Sequence, residues 1–147
     1  MGLFQSFDIS ASGMSAQRFR TDIIAQNIAN VNTTRDDDGT PYRRKIVTFG
    51  TKTLDPFSEV FNRHRNAFKG DGVKVTSVRE DLDTDYIMEY DPSHPDADEN
   101  GYVRFPNVNI VTEMTNLIDA SRAYEANATA FEASKSMAQA GISIGQK

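Results

Sequence analysis

The best candidates for metal chemistry are oxygen-bearing side chains about two thirds of the way along the chain. Asp96, Asp98 and Asn100 stand at alternate positions ahead of Gly101, as the first ligands of a calcium-binding loop do. The twelfth position of such a loop needs a bidentate Glu, and Asn107 stands there instead. We therefore predict a turn-rich connector, and no metal or cofactor in the protein. A calcium-dependent binding module is the less favoured alternative.

Catalytic constellations of the common kinds are missing from the sequence. His64 and His94 lie in polar, loop-like stretches, and neither has the partner four residues away that a helical metal site needs. The sequence contains neither a phosphate-binding loop ending in Gly-Lys-Ser/Thr nor the Gly-x-Ser-x-Gly turn of a hydrolase. Because there are no cysteines, thiolate metal sites and a cysteine nucleophile are excluded. We predict that the protein is not an enzyme and has no small-molecule substrate.

The charge and hydropathy of the chain exclude other partner classes. The formal net charge is -5 over 147 residues, and the basic runs at 43–45 and 63–65 are too short for a nucleic-acid footprint. No apolar run is long enough to span a bilayer. The N-terminus lacks the basic region and apolar core of a cleaved signal peptide. If the protein leaves the cytoplasm, we expect a route that does not remove its N-terminus.

The N-terminal part, residues 4–32, predicts one amphipathic helix. Its apolar residues recur at spacings of three, four and seven on two stripes, which describes a face wide enough for two partners. The stripes consist of Ile9, Ala16, Phe19 and Ile23, and of Met14, Ile24, Ile28 and Val31. The Asn-rich end predicts a helix stop and sharp turn at Asn30 and Asn32, because Asn tolerates the left-handed conformation and bonds to nearby backbone.

The C-terminal part, from residue 107 to about 141, predicts a second helix with a heptad seam. Its seam residues alternate at separations of four and three. They are Ile110, Met114, Leu117, Ser121, Tyr124, Ala128, Phe131, Lys135, Ala138 and Ile142. The polar members Ser121 and Lys135 weaken the seam but can fix its register.

The middle of the chain, residues 34–106, predicts a small β-rich lobe with extended loops. It contains all five prolines. Alternating runs predict strands at 42–49, 73–78 and 86–90, bounded by turns at 38–39, 70–72 and 91–92. Residues 55–65 fit either a short helix or a loop.

The two terminal helices must bury their apolar faces, because a lone amphipathic helix is marginal in water. We therefore predict an α+β fold in which residues 1–33 and 107–147 pair as a coiled-coil-like helical hairpin, a discontinuous core domain. The β-rich lobe of residues 34–106 is inserted between them. Each helix, about 40 Å long, would still leave apolar surface uncovered, which predicts a polymer of neighbouring copies. A free helical-hairpin adaptor or chaperone, forming a small discrete oligomer, is the alternative.

The residues expected to form the assembly interface are large apolar side chains of the two helices. They are Phe19, Ile23 and Ile28 on the first helix and Met114, Leu117, Tyr124 and Phe131 on the second. For any one of them, a place in the intramolecular core agrees with the sequence equally well.

Two sets of motifs resemble the bacterial flagellar rod and hook proteins. The N-terminal set is ASGM at 11–14, IIAQNIANVNT at 23–33 and PYRR at 41–44. The later set, which resembles the proximal rod proteins of this family, is HPDAD at 94–98, GYV at 101–103, PNVN at 106–109, EM at 113–114 and ASRAYEAN at 120–127. The motifs run in order over nearly the whole chain, and residues 48–68 carry no family pattern.

The resemblance implies a structural subunit of the flagellar proximal rod, which polymerises helically into the hollow drive shaft. This shaft transmits motor torque and conducts exported subunits. The implied partners are copies of the chain itself, other proximal and distal rod proteins, the basal-body adaptor at the export gate and the flagellar type III export apparatus. The implied location is the periplasmic span of the rod, outside the cytoplasmic membrane and reached without signal-peptide cleavage.

Overall fold

The computed structural model describes residues 3–36, 38–52, 61 and 72–145. The described elements, in order, are α1 (Leu3–Ala29), β1 (Lys45–Thr51), β2 (Val73–Glu80), β3 (Ile87–Tyr90), β4 (Tyr102–Phe105) and α2 (Ile110–Gly145). The predicted α+β class is confirmed at this level, with a terminal helix at each end and a small β region between them. Strand β4 was not predicted, and residues 55–65 lie outside the described part apart from Phe61.

The described strands form two separate two-stranded sheets, β1 with β2 and β3 with β4. At one end of the first sheet the Lys52 N–H donates to the Gly72 carbonyl at 3.0 Å, and at the other the Asp81 N–H donates to the Arg44 carbonyl at 2.8 Å. These two bonds give an antiparallel pairing. Strands β3 and β4 are also antiparallel, with Tyr90 opposite Tyr102.

The chain divides into two compact units, and each draws on both helices and on the strands. Unit 1 contains Met1–Phe19, Thr48–Thr76 and Ala120–Lys147, and unit 2 contains Arg20–Val47 and Ser77–Asp119. The division into a helical core and an inserted lobe stays a prediction.

Side chains close to the helix ends satisfy backbone groups that a helix leaves unpaired. Asn109 caps α2: its side-chain oxygen accepts the Thr112 N–H at 3.1 Å. After α1, the Asn30 amide donates to the Gln26 carbonyl at 2.9 Å and accepts the Thr33 hydroxyl at 3.2 Å. Asn30 therefore makes the local bonds expected of the turn, whereas Asn32 is exposed.

Small residues allow the two helices to approach each other closely within unit 1. A Cβ added to Gly13 would lie 2.6 Å from the Asn127 side-chain oxygen. The rings of Phe7 and Phe131 meet with centroids 4.9 Å apart. As these contacts move back along α1 they move forward along α2, so the two segments run antiparallel within this unit.

Candidate functional site

The buried side of α2 is not the predicted apolar seam. The side chains that are buried or partly buried along one stripe are Glu113, Asn116, Ala120, Ala123, Asn127, Phe131, Ser134 and Ala138. This stripe has helical spacing, but most of its members are small or polar. Four large apolar residues of the predicted seam are instead exposed: Ile110 by 45%, Met114 by 54%, Tyr124 by 42% and Ile142 by 64%. Much of the apolar seam therefore faces away from the protein's own core.

The other predicted interface residues occupy intermediate positions. Phe19 is 39% exposed, while Ile23 and Ile28 on α1 and Leu117 on α2 are half-buried. Phe131 is half-buried as well and lies against Phe7. The structure thus places Phe131 in an intramolecular contact and leaves Met114, Tyr124 and Phe19 accessible to a partner. The assignment of all seven to an assembly interface stays a prediction.

The C-terminal end of α2 carries a second set of exposed apolar side chains. Met137, Ile142 and Ile144 are 66%, 64% and 77% exposed. Phe131 contacts Phe7, and α2 continues for fourteen residues after Phe131. By contrast, α1 begins only four residues before Phe7. The last turns of α2 therefore extend past the beginning of α1 within unit 1.

Unit 2 has a polar centre built around Glu113, which is 1% exposed. One of its carboxylate oxygens accepts Arg44 Nη2 at 2.7 Å and Arg44 Nε at 2.8 Å. The other accepts the Asn27 amide at 3.0 Å. A buried carboxylate is tolerated only when it is paired and hydrogen-bonded in this way.

Asn27, also 1% exposed, uses its whole hydrogen-bonding capacity. Its oxygen accepts the Tyr42 hydroxyl at 2.8 Å and the Lys45 N–H at 2.9 Å. Its amide nitrogen donates to the Lys45 carbonyl at 2.9 Å and to Glu113. Two donated and two accepted bonds are all that an Asn side chain can make. Asn27 thereby connects α1, the beginning of β1 and α2.

Asn107 and Asp81 hold the other side of Arg44. The Asn107 oxygen accepts the Arg44 N–H at 2.9 Å, and its amide donates to the carbonyls of Asp81 at 2.9 Å and Thr84 at 3.1 Å. Burial alone raises the pKa of Asp81, but hydrogen bonds from Thr84 and Asp83 and the positive charge of Arg44 outweigh it and lower that pKa. Asp81 is therefore held as a carboxylate.

Tyr42 completes the network, and its phenol is an unusually weak acid. Burial is the main cause that raises its pKa to about 12, and the negative charge of Glu113 adds to it. The neutral phenol is thus retained, and it donates to Asn27. Together these groups form a polar lock: their hydrogen bonds and ion pair hold the first helix, the beginning of β1 and α2 in place.

Sequence reasoning missed this lock. All its members except Asp81 fall inside the motifs quoted above: Asn27 within 23–33, Tyr42 and Arg44 within 41–44, Asn107 within 106–109 and Glu113 within 113–114. The available signal was that polar residues interrupt apolar stretches of predicted helix and strand. Without coordinates, nothing paired residues that are up to 86 positions apart.

The carboxylates of the calcium-like run have protein partners. Asp96 accepts the Thr34 hydroxyl at 2.8 Å and lies 3.5 Å from Arg35. Asp98 accepts the N–H groups of Asn100 at 2.8 Å and Tyr102 at 2.9 Å. Among the described residues no cluster of three or more His, Cys, Asp or Glu side chains could hold a metal ion.

In the described part of the chain, no helix combines the length and the apolar character needed to cross a bilayer.

Comparison with known proteins identifies the class to which this architecture belongs. Residues 7–35 match the family described as flagella basal body rod protein, and residues 99–144 match the flagellar basal body rod FlgEFG protein C-terminal family. The first range contains most of α1, and the second contains β4 and nearly all of α2.

Full-length relatives narrow the class. The chain is 43% identical to the flagellar basal-body rod protein FlgC of Borreliella burgdorferi over 98% of both chains. It is 41% identical to FlgC of Bacillus subtilis and 39% identical to FlgC of Escherichia coli O157:H7, in each case over 99% of this chain and 100% of the relative. The chain belongs to the FlgC family of flagellar basal-body rod proteins. It is a structural rod subunit and not an enzyme.

Proposed function

We propose that this subunit polymerises helically, with other copies and with other proximal and distal rod proteins, through apolar helix faces that its own fold leaves open. The observation that carries the proposal is the outward-facing apolar surface of α2, where Val111 is 74% and Met114 is 54% exposed. Burying apolar surface contributes about 25 cal/mol per Å². An exposed apolar surface of this kind is typical of a protein–protein interface.

The polar and small stripe on the inner side of α2 supports the same proposal. Because Glu113, Asn27 and Arg44 satisfy one another inside unit 2, the helix does not need its large apolar residues for its own core. We infer that the two terminal helices pair as a coiled-coil-like hairpin and form the discontinuous core domain of residues 1–33 and 107–147. Residues 34–106 then form the inserted lobe.

The hollow drive shaft that transmits torque is the assembly in which such subunits would lie. Torque must cross many contacts at once, so wide apolar helix faces suit the task better than isolated ion pairs, which are worth little at a surface. Following the family resemblance, we place the subunit in the periplasmic span of the rod, exported by the type III apparatus without cleavage and adjoining the basal-body adaptor.

The proposal is tested by placing a charge on the exposed apolar face. Met114→Asp removes no intramolecular hydrogen bond, so the free energy of unfolding of the monomer should change by no more than about 0.5 kcal/mol. In the assembled rod the same carboxylate would be buried without a partner. Cells carrying Met114→Asp should therefore export the subunit but lack complete basal bodies.

Thr112→Asp is the matched control, because Thr112 is exposed and polar and lies roughly 100° around α2 from Val111 and roughly 160° from Met114. It should leave basal bodies and motility intact. Normal basal bodies with Met114→Asp in electron micrographs would show that this face is not an assembly interface.

A further inference from the structure

The two compact units carry opposite net charge. Unit 1 contains nine Lys and Arg against six Asp and Glu, a net charge of +3, and unit 2 contains seven against fifteen, a net charge of -8. The two values add to the -5 of the whole chain. Complementary charge steers association and fixes which surfaces meet. This separation therefore favours contacts between unit 1 of one copy and unit 2 of another.

Unit 2 displays a built, acidic surface where β3 turns back into β4. We call it the acidic tip: the rings of Tyr90 and Tyr102 with the carboxylates of Asp91, Asp98 and Glu99. The two rings meet edge to face at 5.3 Å, yet they remain 64% and 43% exposed. Arg35 and Arg104 line the depression beside Tyr102 and Asp98, so the tip has more acidic than basic groups without being purely acidic. Exposed tyrosines are typical anchors of protein interfaces.

The acidic tip is held in one conformation by its own hydrogen bonds. The Asp91 N–H donates to the Gly101 carbonyl at 3.0 Å, and Asp98 accepts two backbone N–H groups. Hydrogen bonds from Ser93 lower the pKa of Asp91. A rigid surface loses little conformational entropy on binding, which favours its use as a docking element.

Unit 1 contains a groove of the opposite character. We call it the lysine groove: an open depression of about 400 Å³ lined by Ser12, Ser15, Ala16, Phe19, Lys52, Val73, Lys74 and Val75. Its floor is largely apolar, and among the residues that the structure describes its charged lining consists of two lysines, without a carboxylate. A volume of this size accommodates aromatic side chains.

We propose that the acidic tip of one copy docks into the lysine groove of another copy. Tyr90 and Tyr102 would cover the apolar floor beside Phe19, while Glu99 would face Lys74. The two surfaces differ, so the contact is heterologous, and a heterologous contact that does not close builds an open helical array. The inference rests on the proposed function and adds the chemistry of one subunit–subunit contact.

Cross-linking in basal bodies tests the contact directly. Because the chain has no native cysteines, only the introduced thiols of this protein can react. Cells producing the Lys74→Cys, Glu99→Cys double variant are treated with a short bismaleimide, and isolated basal bodies are immunoblotted. Docking between copies predicts a ladder of covalent multimers. The matched control is Lys74→Cys with Asp85→Cys. Asp85 is an exposed acidic residue that precedes β3, whereas the acidic tip lies at the other end of this strand. No ladder, or the same ladder from the control, overturns the proposal.

Charge reversal provides a second, independent measurement. Lys74→Glu and Glu99→Lys should each lower the yield of basal bodies at least several-fold, and the double variant should restore it, because every contact then pairs opposite charges again. Harmless single variants, or a double variant no better than the worse single one, would count against docking. If basal bodies contain the chain but neither test responds, the docking is wrong and the rod function stands. If basal bodies lack the wild-type chain, the proposed function itself is wrong.

Discussion

Replacing Glu113 by Gln should destabilise the monomer strongly, although the two side chains have nearly the same shape. Both carboxylate oxygens accept hydrogen bonds, one from Arg44 and the other from Asn27. A Gln amide has one accepting and one donating end. Whichever way it is turned, its N–H₂ group faces a donor of Arg44 or of Asn27. Arg44 also loses the closer of its two counter-charges, and only Asp81, 3.7 Å away, remains.

The expected cost follows from these two losses. Breaking a buried ion pair by removing one partner costs about 3–5 kcal/mol. With a urea dependence of about 1–3 kcal/mol per M, the unfolding midpoint followed by circular dichroism should fall by at least about 1 M. The matched control is Glu125→Gln, an exposed glutamate on the same helix, for which about 0.5 kcal/mol or less is expected. A Glu113→Gln monomer as stable as the control would refute the reading of this network as the lock of unit 2.

Three further predictions concern pH and metal. Because the pKa of Tyr42 is raised from 10.0 to about 12, its neutral phenol contributes fully to the free energy of unfolding below pH 10. This contribution is lost as the pH rises towards 12. Urea titrations should show up to about 3 kcal/mol of alkaline loss, which Tyr42→Phe removes. Because the pKa of Asp81 is lowered, its contribution is present above about pH 4 and disappears as acid protonates it. With Asp81→Asn the melting temperature should fall less steeply as the pH is lowered. A fall as steep as that of the wild-type protein would contradict this role of Asp81. Calcium at about 1 mM should not raise the melting temperature, and a rise that Asp96→Ala abolishes would reverse this view.

The terminal helices were predictable because their pattern is long and local. The apolar spacing of residues 4–32 and the run that begins at 107 lie close to the bounds of α1 and α2. Strand β4 (Tyr102–Phe105) was missed because it lies within residues 96–107, which the calcium-like spacing led us to interpret as a turn-rich connector. Its place is fixed by pairing with β3, as in Val103 opposite Glu89, which is tertiary information.

The orientation of α2 shows why the sites were harder to predict than the elements. Heptad spacing placed Met114 and Tyr124 on one side of α2. Because that side is apolar, it was expected to pack against the protein's own core. The structure instead buries Ala120, which is 0% exposed, together with Glu113. Close helix approach and a satisfied ion pair decide the inner face, and neither is visible in a hydrophobic pattern.

The polar lock could be assembled only from long-range geometry. Asn27 and Glu113 resemble ordinary polar positions of amphipathic helices, and the sequence does not show that each is 1% exposed. Arg44 belongs to the short basic run 43–45, and nothing in that run indicates that its guanidinium reaches Glu113. Buried polar pairs of this kind become recognisable when both members are placed.

The central claim, that neighbouring subunits cover the open face of α2, is tested most directly by thiol protection. In the otherwise cysteine-free chain, a single Val111→Cys thiol would be 74% exposed in the monomer if it takes the place of Val111. Its rate of reaction with a maleimide is compared between purified monomer and isolated basal bodies. We predict that the thiol of the monomer reacts as fast as an unprotected thiol and that its reaction rate falls about tenfold or more on assembly. Equal rates in monomer and basal body would contradict the account.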